Sequence, residues 1–402
     1  METVVIEKMD HQGRGIGKVN EKIIFVPYTL VGEIVEVKVL QERSKFLVGQ
    51  VLKIVKSSPK RVLPECPYYL ECGGCNLLHT SYAEQLIIKE HMIKDIFNRY
   101  FNDLVNFEKI IASDVKHYRN KMTFQVKNYI GLYKKNTNEV VAIDSCLIAS
   151  PKINEVLLKI KEEPLDNIDQ IIIRSNQDDE SLILLKAHGP IKINKLGTEN
   201  IVDVFKNSSF KLVSGKDHLL IKMNDFNFYV SSNSFFQVNT KQAIKLYDTI
   251  LAVGDFNKND RVLDLYCGTG TIGIYISKYV KSVLGVEINK DAIADANKNK
   301  ALNDIKNVSF ICNDISKVIV NKQVKPDVII IDPPRSGLLQ SSVIDLINLK
   351  ATKIIYVSCN PITLVRDLNL LRSDYNIDLV VPIDMFPNTS HIECVCLLTR
   401  NK

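Results

Sequence analysis

Hydrophobic and polar positions along the 402-residue chain follow three rhythms in turn. Residues 1–57 carry short, partly alternating β-branched runs at 3–8, 23–26, 33–40 and 46–55, which predicts a small β-barrel. Gly13, Gly15 and Gly17 lie between the first two runs. No helical pattern follows this GRGIG segment, so it reads as a hairpin connection rather than a dinucleotide loop. The polar, proline-containing KSSPKR at 56–61 reads as a linker. Between 80 and 100, Tyr82, Leu86, Ile93, Ile96, Phe97 and Tyr100 recur at helical spacing. Residues 110–235 are mixed and strand-rich. From Arg261 onward the apolar runs RVLDL, SVLGVE, NVSFIC, DVIIID and KIIYVS alternate with helical stretches, and two more strands are expected near 379–384 and 394–398. Such alternation means a parallel, doubly wound α/β sheet. Three segments are therefore expected, 1–57, 58–235 and 236–402, with helix 80–100 able to pack on the last.

Bulk properties narrow the class. Hydrophobic content of 46% and charged content of 24% are ordinary for a globular protein. No run of eighteen apolar residues occurs, so no membrane span is expected. The charged, alternating METVVIEKMD does not resemble a signal peptide, and a cytoplasmic protein is expected. Net charge is a mild +6; residues 1–60 hold ten Lys/Arg against seven Asp/Glu, a net +3. Arg14, Lys18, Lys22 and Lys45 on a small barrel suit single-stranded or irregular RNA, or form a solvated surface. Arg119 and Lys121, alternating with apolar neighbours, face either an RNA backbone or solvent. Nine cysteines, an odd number, argue against a disulfide framework.

The candidate chemistry sits at three places. Cys66, Cys72 and Cys75 form C-x5-C-x2-C, close enough to serve one metal centre, and Cys146 is the only other cysteine before residue 267. One C-x2-C knuckle with two outlying cysteines fits a cubane iron–sulfur cluster at least as well as zinc. The second place is Asp264-Leu-Tyr-Cys-Gly268-Thr-Gly270, a glycine loop at a strand–helix junction. Glu287 ends the next strand, 19 residues after Gly268, the spacing of a ribose-binding carboxylate. Asp314 ends the third strand, within reach of an adenine edge. The third place is Cys359, just past the strand KIIYVS, where parallel sheets collect ligands. Asp332-Pro-Pro-Arg335 ends the preceding strand, and His391-Ile-Glu393 lies in the last connection.

Together FFQVN (235–239), DLYCGTG, DPPRSG, SCNP and FPNTSHIE resemble the RNA uracil-5-methyltransferase family over essentially the whole chain. The resemblance implies a Rossmann-like class I methyltransferase domain, an N-terminal TRAM or OB-like barrel and a central α+β domain carrying a 4Fe–4S cluster on Cys66, Cys72, Cys75 and Cys146. It implies S-adenosylmethionine as methyl donor, held by Gln237, Tyr266, Gly268, Thr271, Glu287, Asp314 and Asp332; Thr271 and Asp314 stand where the family commonly has amides. It further implies Cys359 as nucleophile at uracil C6, Glu393 as the acceptor of the C5 proton, Asp332 as acceptor of uracil N3–H, and His391 as positional. The partner is RNA, with large-subunit (23S) ribosomal RNA expected ahead of transfer-RNA uridine-54. No obligate protein partner is evident and a monomer is expected. Two other classes fit less well: a radical methylthiolating enzyme, which needs C-x3-C-x2-C and a terminal TRAM domain, and a non-catalytic RNA-binding factor, against which Cys359, Glu393 and Asp332 together argue.

Overall fold

The structure is a computed structural model that describes residues 1–102, 105–192, 199–204, 209–232, 234–320 and 325–401. Six strands, Glu2–Val5, Lys8–Met9, Arg14–Val19, Lys22–Pro27, Ile34–Glu42 and Phe46–Lys56, form the N-terminal sheet. Val4, Ile6, Ile24, Val26, Val35, Val37 and Leu47 make its core. The segment expected to be a mere connection is itself a strand, RGIGKV. Its glycines hide the β-signal but are required by packing. A Cβ on Gly15 would stand 2.1 Å from Thr29 Oγ1, and one on Gly17 2.3 Å from Val4 Cγ1. The hairpin turns instead at Asn20 and Glu21, both left-handed (φ 46° and 63°), as a two-residue type I′ turn demands. The 56–61 linker is anchored: Arg61 Nε pairs at 2.6 Å with Glu33, which is fully buried.

A second sheet of seven strands spans Lys121–Val126 to Phe210–Ser214, and helix Pro151–Ile160 buries Ile153, Val156, Leu157 and Ile160 against it. Helix Tyr82–Phe101 starts at the Ser81 cap. Its Ile93, Ile96, Phe97 and Phe101 do not pack on that sheet; they join Leu263, Ile331 and Ile354 of the C-terminal sheet and Leu364 of the helix Pro361–Leu371. The hairpin His218–Met223/Phe226–Ser231 likewise shares its apolar core with Val283 of the C-terminal sheet and with Leu246 and Ile274 of the helices Thr240–Gly254 and Thr271–Ile276. Among the described residues no helix is long and apolar enough to cross a membrane.

The C-terminal sheet comprises β1 (Arg261–Leu265), β2 (Ser282–Glu287), β3 (Val308–Cys312), β4 (Val328–Ile331), β5 (Lys353–Ser358), β6 (Tyr375–Ile383) and β7 (Glu393–Arg400). The spatial order is β3-β2-β1-β4-β5-β7-β6. Strands β1 to β5 are parallel, and β7 runs antiparallel between β5 and β6. Burial on both faces explains why β4 and β5 read as unbroken apolar runs. The antiparallel insertion has a functional consequence. Ser358 pairs with Cys394, so the end of β5 and the start of β7 bring Cys359 and Glu393 side by side.

Candidate active site

The loop after β1 turns through three left-handed residues, Tyr266 (φ 61°), Gly268 (53°) and Gly270 (77°). Gly270 must lack a side chain, because a Cβ there would meet the Phe310 ring at 2.3 Å. Gly268 is different: nothing lies within 4 Å of where its Cβ would be, so its backbone faces open space. Glu287 is fastened beside it. One carboxylate oxygen accepts from the backbone N–H of Ile288 (2.8 Å) and Asn289 (2.9 Å), the other from Gly268 at 3.3 Å. Asp264, beneath the loop, accepts from Gly273 N–H at 3.1 Å, while its other oxygen is buried without a partner. Burial, with Asp332 and Glu287 nearby, pushes the Asp264 carboxyl up to about 8.

These elements open on a cavity of about 730 Å³. Gln237, Tyr266, Gly268, Thr271 and Glu287 line it, and so do Asp332, Cys359 and Glu393. The donor loop and the three candidate reacting groups thus share one chamber. Asp314 is not on its wall: β3 ends two residues earlier, and the exposed Asp314 carboxylate accepts from Ser316 N–H (2.9 Å) and Oγ–H (2.7 Å). Phe235 (72% exposed) and Ile288 (70% exposed) present apolar side chains to the cavity. Uncovered apolar groups on a cavity wall are suited to a planar ring. Ile288 was legible as the apolar residue directly after a strand-ending acid.

The reacting end is built by short local contacts. Asn360 caps helix Pro361–Leu371 by accepting from Ile362 N–H, and its amide donates to Arg335 O at 3.0 Å. Thr363 Oγ–H also donates to Arg335 O, at 3.2 Å. Arg335 is therefore held by its backbone beside Cys359. Burial, then Glu393 and Asp332, push the Cys359 thiol up to about 11, and the Arg335 guanidinium opposes them. Burial and Asp332 raise the Glu393 carboxyl well above the usual range, and burial raises Asp332 to about 7. Among the described residues, these three acidic groups face the exposed Arg335 cation. Arg335, which the sequence placed only at the end of a strand, stands beside the thiol.

Cys359 and Arg335 also line a second cavity of about 730 Å³ on the other side, with Arg14 of the barrel, Lys134 and Lys135 of the central segment, and His391. Three parts of the chain line this groove. Arg14 is held by Asp10 at 2.6 Å and lies 4.3 Å over the Phe25 ring. Lys18, Lys22 and Lys45 are not on this wall, and Lys22 pairs with Glu42. Nor are Arg119 and Lys121. Arg119 lines the cysteine cavity described next, and Lys121 is half-buried opposite Arg174 on the neighbouring strand.

Cys66, Cys72, Cys75 and Cys146 line a separate cavity of about 340 Å³ and are free thiols. Burial raises Cys72, Cys75 and Cys146, and the other thiols of the set add to the rise. Among the described residues, no group of three or more His, Cys, Asp or Glu side chains is arranged to hold a metal ion. The four thiols converge on a shared space without closing on a single point. Cys75 also lines the groove that holds Cys359.

Comparison with known proteins places these features. The tRNA (uracil-5-)-methyltransferase family model matches residues 204–401, and the TRAM domain model matches 2–52. A DNA methylase model matches 56–298, a span that stops before Asp332, Cys359 and Glu393. An uncharacterized RNA methyltransferase of Staphylococcus aureus is 33% identical over 99% of this chain and 97% of its own length. One from Staphylococcus epidermidis is 32% identical over 98% and 96%. The solved structure of Pyrococcus abyssi tRNA (uracil-54, C5)-methyltransferase in complex with S-adenosyl-L-homocysteine superposes with a TM-score of 0.78, at 27% identity, over 99% of both chains.

Proposed function

The chain belongs to the S-adenosylmethionine-dependent RNA uracil-5-methyltransferase family, and on that premise we propose that it methylates a uridine in RNA through a covalent bond from Cys359 to C6. The observation that carries this is the single cavity shared by the glycine loop, Cys359 and Glu393.

Uracil C5 is a weak nucleophile. Addition of the Cys359 thiolate to C6 moves the electron pair of the C5–C6 bond toward C5, making that carbon reactive. Gln237, Tyr266, Gly268, Thr271, Glu287 and Asp332 would hold S-adenosylmethionine, whose sulfonium supplies an electrophilic methyl group and a positive charge. Once C5 carries the methyl group, Glu393 takes the C5 proton, the C5–C6 double bond re-forms, and the S–C6 bond breaks with its electrons returning to Cys359. The net products are 5-methyluridine, S-adenosylhomocysteine and one proton. Asp332 accepts N3–H of uracil; cytosine offers only an acceptor at that position, so the carboxylate disfavours it. The target base must leave its stack to enter the cavity. Arg14, Lys134 and Lys135 on the adjoining groove suit the phosphates of flanking RNA.

Cys66, Cys72, Cys75 and Cys146 would hold a 4Fe–4S cluster. Four free thiols around one cavity supply the donor set such a centre takes. No chemical step passes through it. Protein purified without oxygen should be brown, and Cys146→Ser should lose iron; a colourless, zinc-loaded protein would overturn the cluster.

Large-subunit (23S) ribosomal RNA is the target proposed first, since barrel and cysteine motif together resemble enzymes of that substrate. Transfer-RNA uridine-54 is the second, supported by the likeness to the Pyrococcus enzyme. Incubating the protein with each RNA and mapping 5-methyluridine decides between them. Gain of 5-methyluridine in neither RNA would sink the proposal.

A further inference from the structure

The connection from β6 to β7, residues 384–392, contributes to the walls of both cavities, which also share Cys359 and Arg335. Phe386 and Glu393 face the donor chamber, while Thr389, Ser390 and His391 face the groove. A nine-residue loop has no regular backbone ladder to fix it. It is fixed instead by contacts from the rest of the chain, backbone ones included: Asp384 N–H donates to Ile111 O at 3.0 Å, and Asn388 O accepts from Asn76 N–H and Leu77 N–H, each at 3.0 Å.

Asn239 and Gln242 amides donate to Met385 O and Asp384 O, each at 3.1 Å, and Tyr118 Oη–H donates to Pro387 O at 3.1 Å; a further set comes from one stripe of helix Tyr82–Phe101. Tyr82, Gln85 and Lys89 are spaced i, i+3 and i+7, so they project from one face. Lys89 Nζ donates to Asp384 Oδ1 at 2.6 Å and to Phe386 O at 3.1 Å, and the Lys89 and Asp384 side chains are both fully buried. Tyr82 Oη–H donates to the other Asp384 oxygen at 3.0 Å. Gln85 binds Asn388 reciprocally: its amide donates to Asn388 Oδ1 at 3.2 Å, and its oxygen accepts from Asn388 N–H at 2.9 Å. Asn388 is left-handed (φ 67°), a conformation that needs such support. Asn76, next to Cys75, adds a further clasp, accepting from Ser390 N–H at 2.8 Å and donating to Ser390 Oγ at 3.1 Å.

A buried Lys–Asp pair is a poor way to gain stability, because desolvation cancels most of the attraction. Apolar residues would fill that volume at less cost. What the pair provides is direction: two donors of one ammonium fix a carboxylate nine residues before Glu393 and a carbonyl seven residues before it. We propose that Gln85 and Lys89 are positioning residues for proton removal from C5, holding the 384–392 connection so that Glu393 and Phe386 meet the substrate. They touch neither RNA nor donor, and act through Asp384, Phe386 and Asn388. The inference rests on the reading of Glu393 as base, and it separates the two halves of the reaction. Cys359 stands just past β5, next to Asn360, which caps the following helix and binds Arg335 O. Loosening the connection should leave thiolate addition and methyl transfer intact while impairing proton abstraction.

The test compares wild type, Lys89→Met and Gln85→Leu under single turnover, with RNA tritiated at uridine C5. Two quantities are followed: protein-bound RNA, and tritium released to water. A misplacement of about 1 Å can cost on the order of a hundredfold in a step that needs contact geometry. Each variant should release tritium about 10- to 100-fold more slowly, while the cysteine-bound RNA forms at near wild-type rate and accumulates. Backbone amides of 385–393 should exchange faster in the variants than in wild type, with the rest of the C-terminal sheet unchanged. If Lys89→Met does not fold, Gln85→Leu carries the same test, since it leaves no charge unpaired. Equal loss of adduct formation and tritium release in a cooperatively folded variant would overturn the inference, as would no change in either. Failure of wild type itself to form cysteine-bound RNA would instead overturn the reading of Cys359 and Glu393.

Discussion

Arg335 is the cation that opposes three acids at the reacting end, and its removal has a calculable effect. Two unit charges about 4 Å apart attract by about 4 kcal/mol at an effective dielectric near 20. Arg335 is exposed, so solvent screening leaves about 1 kcal/mol of that. A shift of one pKa unit corresponds to about 1.4 kcal/mol, so Arg335→Gln should raise the Cys359 thiol, already at about 11, by somewhat under one unit. The sign is fixed: the cation favours the thiolate, so losing it leaves up to about tenfold less thiolate at any pH below the pKa. A more basic thiolate is also a better nucleophile, with a Brønsted slope of about 0.4–0.5, which returns about threefold. The net expectation is an approximately two- to threefold slower reaction at Cys359. The assay is iodoacetamide labelling of the protein without RNA at pH 8–9, read at the Cys359 peptide by mass spectrometry. Arg335→Lys should label close to wild type. An unchanged or faster rate in Arg335→Gln would refute the electrostatic role and leave Arg335 as a contact for RNA alone.

Other outcomes test the remaining parts. Glu393→Gln should cut product formation by about 10²- to 10⁴-fold, the usual worth of a positioned base, while cysteine-bound RNA accumulates; its thiol should label faster, because a group that raises Cys359 is gone. Glu287→Ala should raise KM for S-adenosylmethionine by roughly 10- to 100-fold, matching the loss of a charged hydrogen bond of about 1.5–3 kcal/mol, with a smaller change in kcat. Asp264, raised to about 8, binds its proton more tightly folded than unfolded, so it lowers stability progressively as pH rises from about 4 to 8. Asp264→Asn should therefore melt higher than wild type at pH 8 and lose that advantage near pH 5; a gap independent of pH would contradict the assignment.

Much of this was legible in the chain because parallel strands buried on both faces write themselves as apolar runs, and ligand residues follow directly at their ends. Gly268, Glu287, Asp332 and Cys359 were found that way, and all four line one cavity. Asp314 was found by the same rule and stands outside it, because the chain turns at Asn313 and the carboxylate caps its own helix start. The strand RGIGKV was missed because its glycines serve close packing rather than turning. Arg335 was undervalued because a charge gains its role only from what faces it across the β5–β7 pairing. The Lys89–Asp384 pair was invisible for a simpler reason: 295 residues separate its partners. Local pattern can announce a polar residue on a helix but not which distant carboxylate it was kept for.

The central claim is a transient bond between one sulfur and one pyrimidine, and RNA carrying 5-fluorouridine at the target tests it most directly. Fluorine at C5 cannot be taken off as a proton, so the chain of steps halts with the base attached. Digestion and mass spectrometry should then find a single modified peptide, carrying a methylated fluoropyrimidine nucleotide on Cys359, and Cys359→Ala should give none. A nucleotide on another residue, or 5-methyluridine formed by Cys359→Ala, would contradict the account.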